Sequence, residues 1–235
     1  MDAETPYSAP YSAARAAILE AALAHVPFDG WSDATLRAAM ADSGVAPGLA
    51  SAIFPRGALD LALAYHRRGD AAMVATLQAA DLAQMRFRDR IAFAVMARLD
   101  LVEDKELVRR GTTFFAMPQN AAEGAKAIWG TADAIWTALG DTSDDLNWYT
   151  KRSTLSAVYS ATVLYWLGDS SEGQRDTRDF LDRRIGNVMD FEKFKASPLG
   201  KTLLSPLKLF SGLRAPQSRK ACHPDHLPGS LKDPT

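Results

Sequence analysis

The chain has 235 residues, of which 47% are hydrophobic and 23% charged, with a formal net charge of −1 and a single cysteine. That balance fits an ordinary globular protein; the lone Cys222 excludes an intramolecular disulfide, and no apolar run reaches the roughly 18 residues that span a bilayer. The near-zero net charge conceals an asymmetry: Met1 to Glu192 carries 19 basic and 26 acidic residues, whereas Lys193 to Lys220 carries seven basic and none acidic.

The N-terminal stretch "MDAETPYSAPYSAARAAILEAAL" holds acids and lacks a basic region followed by an apolar block. No secretory signal or Arg-rich transit peptide is therefore expected. Strand signals are sparse and helical periodicity recurs. It predicts helices near 11–25, 33–43, 47–54, 57–79, 84–99, 104–116, 121–139, 146–167 and 174–192. Pro27, Gly30, Gly44, Pro55, Pro118, Gly140 and Gly168 punctuate them. Ser32 or Asp33 is expected to cap the second helix, and Asp144 or Asp145 the eighth.

The first four helices have the plan of a helix-turn-helix, with a turn at Ser43-Gly44-Val45. This region resembles the N-terminal module of TetR-type repressors. The chemistry of base reading is missing, however. A recognition helix needs donors for base edges and phosphates. Here it reads "APGLASAIFPRG", with Ser51 its only polar side chain before Phe54 and Gly57 where the TetR pattern places a phosphate-binding Lys. An acidic body also repels a duplex, so no specific nucleic acid is expected as a partner.

Three apolar stripes follow. Ile128, Ala132, Ile135, Trp136 and Leu139 share one helical face; Leu155, Val158, Tyr159, Thr162 and Trp166 share a second; Thr177, Leu181, Ile185 and Val188 share a third. These helices are expected to pack together and against a second copy of the chain. The start of the eighth helix, "DDLNWYTKR", sets a Trp–Tyr pair among charges. Trp148 falls on the meridian of Leu155 and Trp166, but Lys151 and Arg152 flank it on that side. Two cations need partners to enter a dry core, so the stripe is expected to leave the core near Leu155, with Tyr149 exposed. Two arrangements stay open. Trp148 lids its own core with Arg152 stacked on the ring, or Leu146, Trp148 and Tyr149 form an exposed anchor ringed by Asn147, Lys151 and Arg152.

"FPRG" at Phe54 to Gly57, and the segment from Ala132 to Ile185 containing "DDLNWYTKR" and "FLDRRI", closely resemble the Coq-nine family of ubiquinone-biosynthesis accessory proteins. The resemblance runs from about Ala14 to Phe191. It implies a TetR-like fold without DNA binding, a homodimer, and a hydrophobic pocket for an isoprenoid lipid or ubiquinone precursor. It also implies no catalysis or cofactor, and presentation of the lipid to the di-iron demethoxyubiquinone hydroxylase. The family's docking patch for that hydroxylase falls on Asp145, Leu146, Asn147, Trp148, Tyr149, Lys151 and Arg152. A pocket between the C-terminal helices would set Trp129, Trp136, Tyr159, Val163 and Trp166 on its wall.

Beyond residue 192, Leu199, Leu203, Leu207, Phe210 and Leu213 recur every three or four residues, with Lys201 and Lys208 largely on another face and Pro206 dividing the run. A basic amphipathic segment of this kind fits a membrane surface; a helix folded onto its own domain is the competing arrangement. "CHPDH" holds Cys222, His223, Asp225 and His226, but lacks the second ligand cluster a tetrahedral zinc site wants. Phosphate-loop, HExxH and nucleophile-elbow signatures are lacking.

The expectation is thus an all-α, TetR-repressor-like bundle: a degenerate helix-turn-helix over 1–60, a lipid-binding and dimerisation domain over 61–192, a basic membrane-associating segment over 193–215 and a disordered tail over 216–235. It would sit peripherally on the cytoplasmic face of the inner membrane, or on the matrix face in a mitochondrion. The alternative is a TetR-type transcriptional regulator responding to a hydrophobic ligand.

Overall fold

A computed structural model describes residues 8–196, and side chains over 10–188. Nine α-helices make up this region: α1 Ser8–Asp29, α2 Asp33–Ser43, α3 Pro47–Ile53, α4 Ala58–Ala79, α5 Phe87–Asp100, α6 Lys105–Ala116, α7 Ala121–Ala138, α8 Leu146–Gly168 and α9 Arg175–Ala196. No strand occurs among the described residues.

The caps follow the local chemistry. The Ser32 hydroxyl accepts from the Thr35 amide at 3.1 Å to open α2, and the Asp145 carboxylate accepts from the Asn147 amide at 2.8 Å to open α8. Two boundaries differ from expectation. Pro27 does not end α1, which runs on to Asp29 and closes at Gly30, in the left-handed region with φ 67°. A proline in the last turn removes one amide bond only, and the Pro27 carbonyl is taken up by Arg110 Nη2 at 2.9 Å. Before α5, Leu82–Gln84 form a single 3₁₀ turn, opened by Asp81 accepting from the Ala83 amide.

The degenerate helix-turn-helix is present as geometry. Gly44 ends α2 in the left-handed conformation with φ 67°. On α3, Ala50 and Ile53 face inward, while Gly48, Leu49, Ser51 and Ala52 are exposed. Gly57 has a structural reason to be glycine. Its φ is 60°, and a β-carbon there would stand 2.5 Å from Asp33 Oδ1. That same oxygen accepts from the Ala58 amide at 3.0 Å and caps α4. The turn therefore trades a side chain aimed at phosphate for a cap contributed by α2.

Two apolar cores result, and α4 runs through both. The first joins Ile18, Val26, Trp31, Phe54 and Leu61, with Leu107 reaching in from α6. The second joins Met73 and Leu77 of α4 to Val95, Ile135, Leu155, Trp166, Leu181 and Ile185. The three stripes read from the sequence converge in this second core. Each large side chain buried in this way contributes about 1.5–3 kcal/mol. The segment boundaries at 60 and 192 fall inside α4 and α9. The basic run with Leu199, Lys201, Leu203, Leu207, Lys208, Phe210 and Leu213, and the "CHPDH" group, lie outside the described residues. Among the described residues, no helix is long and apolar enough to cross a membrane.

Candidate functional site: an apolar cavity and an aromatic turn

Where the two cores meet, α4, α5, α6, α7 and α8 line a cavity of about 400 Å³ that opens to the surface past Ala116, Ala121 and Leu164, within the range of small-molecule sites. Small residues make the room: Gly111 and Ala116 on α6, and Ala121, Gly124 and Ala125 on α7, all line it. Trp31 closes one side, held by its indole Nε1 donating to the Leu107 carbonyl at 3.1 Å and by its ring against Tyr65 at 5.2 Å. The wall is mostly apolar, and its one charged side chain is Arg98.

Arg98 is buried, and its partners explain how. Nε donates to Asp70 Oδ1 at 2.9 Å and Nη2 donates to the His66 carbonyl at 3.2 Å. The Thr131 hydroxyl lies 3.0 Å from Asp70 Oδ1 and 2.8 Å from His66 Nε2. Burial pushes the Asp70 carboxyl up, but its hydrogen bond and charge attraction with His66, together with Arg98, outweigh that and hold it below its ordinary value. Asp70 thus stays ionised and balances the guanidinium.

The structure brings two of the expected wall residues, Tyr159 and Val163, to this cavity and takes the other three elsewhere. Trp166 is enclosed in the second core, with its Nε1 donating to Gln174 at 2.9 Å and Lys105 over its ring. Trp136 borders a separate polar hollow with Asp141, Ser143 and Lys151, and donates to the Lys151 carbonyl at 3.1 Å. Trp129 packs on Trp148 at 5.8 Å. The cavity also lies between the two cores rather than among the C-terminal helices alone. Large indoles fill space; the room is left where α6 and α7 carry glycine and alanine. Arg98, Asp70, His66 and Tyr65 did not stand out in the sequence. The one local signal was a cation inside the otherwise apolar "IAFAVMARL" of α5.

At the start of α8, Leu155 is the first residue of the helix in the second core and Trp148 stands outside it, as expected, but the cation beside Trp148 is buried because partners are supplied. Arg152 is 2% exposed. Its Nε donates to Asp133 Oδ1 at 2.5 Å and its Nη1 to Asp141 Oδ2 at 3.0 Å. The guanidinium stacks 4.1 Å from the centre of the Trp148 ring. Lys151 donates to Asp141 Oδ1 at 2.7 Å and to the Ser143 hydroxyl at 2.6 Å. Burial pushes the Asp141 carboxyl up, but hydrogen bonds from Lys151, Ser143 and Arg152 dominate and bring it down to about 2. Tyr149 is half-buried rather than exposed, and it meets Trp148 edge-on at 4.8 Å. Asp145 and Asn147 are exposed; Leu146, Trp148 and Lys151 are half-buried. The stacked arrangement is therefore the one the geometry matches. Arg152 sits beneath the aromatic patch, not at its rim.

Fold and cavity together define an all-helical protein of TetR-like architecture with a mostly apolar cavity open at one side. A TetR transcriptional regulator from Nitrosomonas europaea shares the fold, with a TM-score of 0.59 at 22% identity, over 73% of this chain and 95% of the regulator. The COQ9 family model matches residues 121–192, the segment that holds α7, α8 and most of α9. Relatives include the ubiquinone biosynthesis protein COQ9, mitochondrial, of Drosophila melanogaster, 31% identical over 81% of this chain and 60% of the relative. The proteins of the same name from Rattus norvegicus and Homo sapiens are 32% and 30% identical, each over 74% of this chain and 58% and 57% of their own lengths. The chain thus spans about 60% of the curated relatives it matches.

Proposed function

We propose that the protein is a non-catalytic lipid-binding component of ubiquinone biosynthesis. It takes an isoprenoid quinone precursor into the cavity between α4 and α8 and presents it to the di-iron hydroxylase that acts on demethoxyubiquinone. The observation that carries this reading is the cavity itself: about 400 Å³ of mostly apolar wall, in a fold whose recognition helix exposes only Pro47, Gly48, Leu49, Ser51 and Ala52. An isoprenoid tail is buried there without needing polar partners, whereas that helix offers almost nothing to a base edge.

The Trp148–Tyr149 turn is the docking patch for the hydroxylase in this reading. Half-exposed aromatics on a rigid support suit an interface anchor, and Arg152, Asp133 and Asp141 supply the support from below. The basic segment from Leu199 to Leu213 holds the protein at the membrane, as a homodimer, on the cytoplasmic face in a bacterium or the matrix face in a mitochondrion. The mitochondrial COQ9 relatives support both the pathway and the compartment. Mass spectrometry of lipid carried through purification tests the reading: an isoprenoid quinone or its precursor supports it, and lipid-free protein overturns it.

A further inference from the structure

Tyr159 is 5% exposed and lines the cavity, yet its hydroxyl has no hydrogen-bond partner among the described residues. The buried side-chain oxygen without a partner among the described residues is Ser156 Oγ, so the Tyr159 hydroxyl opens onto the cavity space, where it can donate to a molecule held there. Arg98 and Tyr65 line the same chamber. Arg98 has five N–H donors and commits Nε and Nη2 to Asp70 and the His66 carbonyl. The guanidinium packs closely over Gly69, where a β-carbon would stand 2.4 Å from its carbon. Asp70 lies behind the guanidinium and balances its charge.

We infer that Tyr159, with Arg98 and Tyr65 beside it, forms a donor seat for a neutral acceptor oxygen on the ligand, a ring carbonyl or phenol oxygen, and so fixes the head of the ligand at the α4–α5–α8 end of the cavity. This inference rests on the lipid-binding reading of the cavity and adds the chemistry of the head. The apolar body then lies along Gly111, Ala121, Gly124 and Ala125. Because the only cation on the wall already faces a carboxylate, the seat does not favour a fatty-acid anion over a neutral oxygen. Burial holds the Tyr159 hydroxyl above its ordinary value, so it remains a donor at neutral pH.

The test uses the full chain and three probes: a dimethoxy-methyl-benzoquinone with a geranyl tail, geranylbenzene with no ring oxygen, and palmitate. Wild type is expected to bind the quinone more tightly than geranylbenzene, with palmitate a poor competitor. Tyr159→Phe, which removes one oxygen and keeps the ring, is expected to weaken the quinone by about 3- to 10-fold and leave geranylbenzene unchanged. Infrared spectra provide a readout independent of affinity: the carbonyl stretch of the bound quinone is lowered in wild type and returns towards its apolar-solvent position in Tyr159→Phe. Equal loss for both ring probes, no loss for either, an unmoved carbonyl stretch, or palmitate displacing the quinone as well as unlabelled quinone does would overturn the donor seat while leaving an apolar cavity intact. Failure of wild type to bind either ring probe would overturn the cavity reading and the seat with it.

Discussion

The guanidinium of Arg152 lies 4.1 Å from the centre of the Trp148 ring, while its two ends are held by Asp133 and Asp141. The patch at the start of α8 is thus an aromatic surface standing on a buried charge cluster. Surface and support make separable predictions.

Trp148→Ala removes the surface and keeps the support. It is expected to leave the helical signal in circular dichroism intact, since the ring is only half-buried. Affinity for the hydroxylase is expected to fall by about 2 kcal/mol or more, roughly 30-fold. Calorimetric titration with the purified hydroxylase measures this, and unchanged affinity refutes the docking assignment.

Arg152→Ala removes the support. It leaves the Asp141 carboxylate, 4% exposed, with Lys151 but without its second cation. Breaking a buried pair costs about 3–5 kcal/mol, and the remaining lysine places the expectation near 3. Urea denaturation followed by tryptophan fluorescence checks it. A loss below about 1 kcal/mol shows the cluster to be mere surface charge.

Asp141 also gives the protein an acid limit. Its folded value of about 2 lies below its ordinary 3.8. A depressed carboxylate stabilises the fold fully above its unfolded value and loses that contribution as pH falls through the folded one. The contribution, on the order of 2 kcal/mol, is expected to erode between about pH 4 and pH 2, and Asp141→Asn is expected to flatten stability across that window. Urea midpoints of both proteins over this range provide the comparison.

How much of this was legible in the sequence divides by range. The caps, as Ser32 or Asp33 and Asp144 or Asp145, Gly44 as the turn, and the stripes of α7, α8 and α9 were all readable because each is set within a few residues; the structure selects Ser32 and Asp145. The burial of Arg152 was not, because it depends on Asp133 on α7, 19 residues away, and on Asp141 in the loop between α7 and α8, 11 residues away. The cavity wall was misjudged in the same way. Tryptophans looked like a ligand wall, but Trp166 is itself buried, and the room comes from the glycine and alanine of α6 and α7. Arg98 and Asp70 are 28 residues apart and meet only once α4 and α5 pack.

Gly57→Lys restores the residue type of a DNA-binding repressor. With φ at 60° and Asp33 Oδ1 2.5 Å from the would-be β-carbon, it is expected to cost about 1–3 kcal/mol. It is not expected to create operator binding, because α3 still exposes no donor beyond Ser51. A low-salt gel shift with genomic fragments decides. Specific, salt-sensitive binding by either protein would favour a transcriptional regulator instead.

Val163→Phe enlarges a buried side chain on the cavity wall. Overpacking costs about 1–3 kcal/mol in a filled core, but here the ring has space to enter. Thermal stability is expected to change little while lipid capacity falls. Quenching of intrinsic tryptophan fluorescence by a short-tailed quinone reports the loss; undiminished binding places the ligand elsewhere.

The central claim is that the interior of this TetR-like fold is a lipid chamber. Native mass spectrometry of the full chain, purified without detergent, tests it most directly. The account predicts a bound isoprenoid quinone or precursor, about one per chain, released when the protein unfolds. Protein of bare polypeptide mass, or carrying only the bulk phospholipids of the host in their ambient proportions, would contradict it.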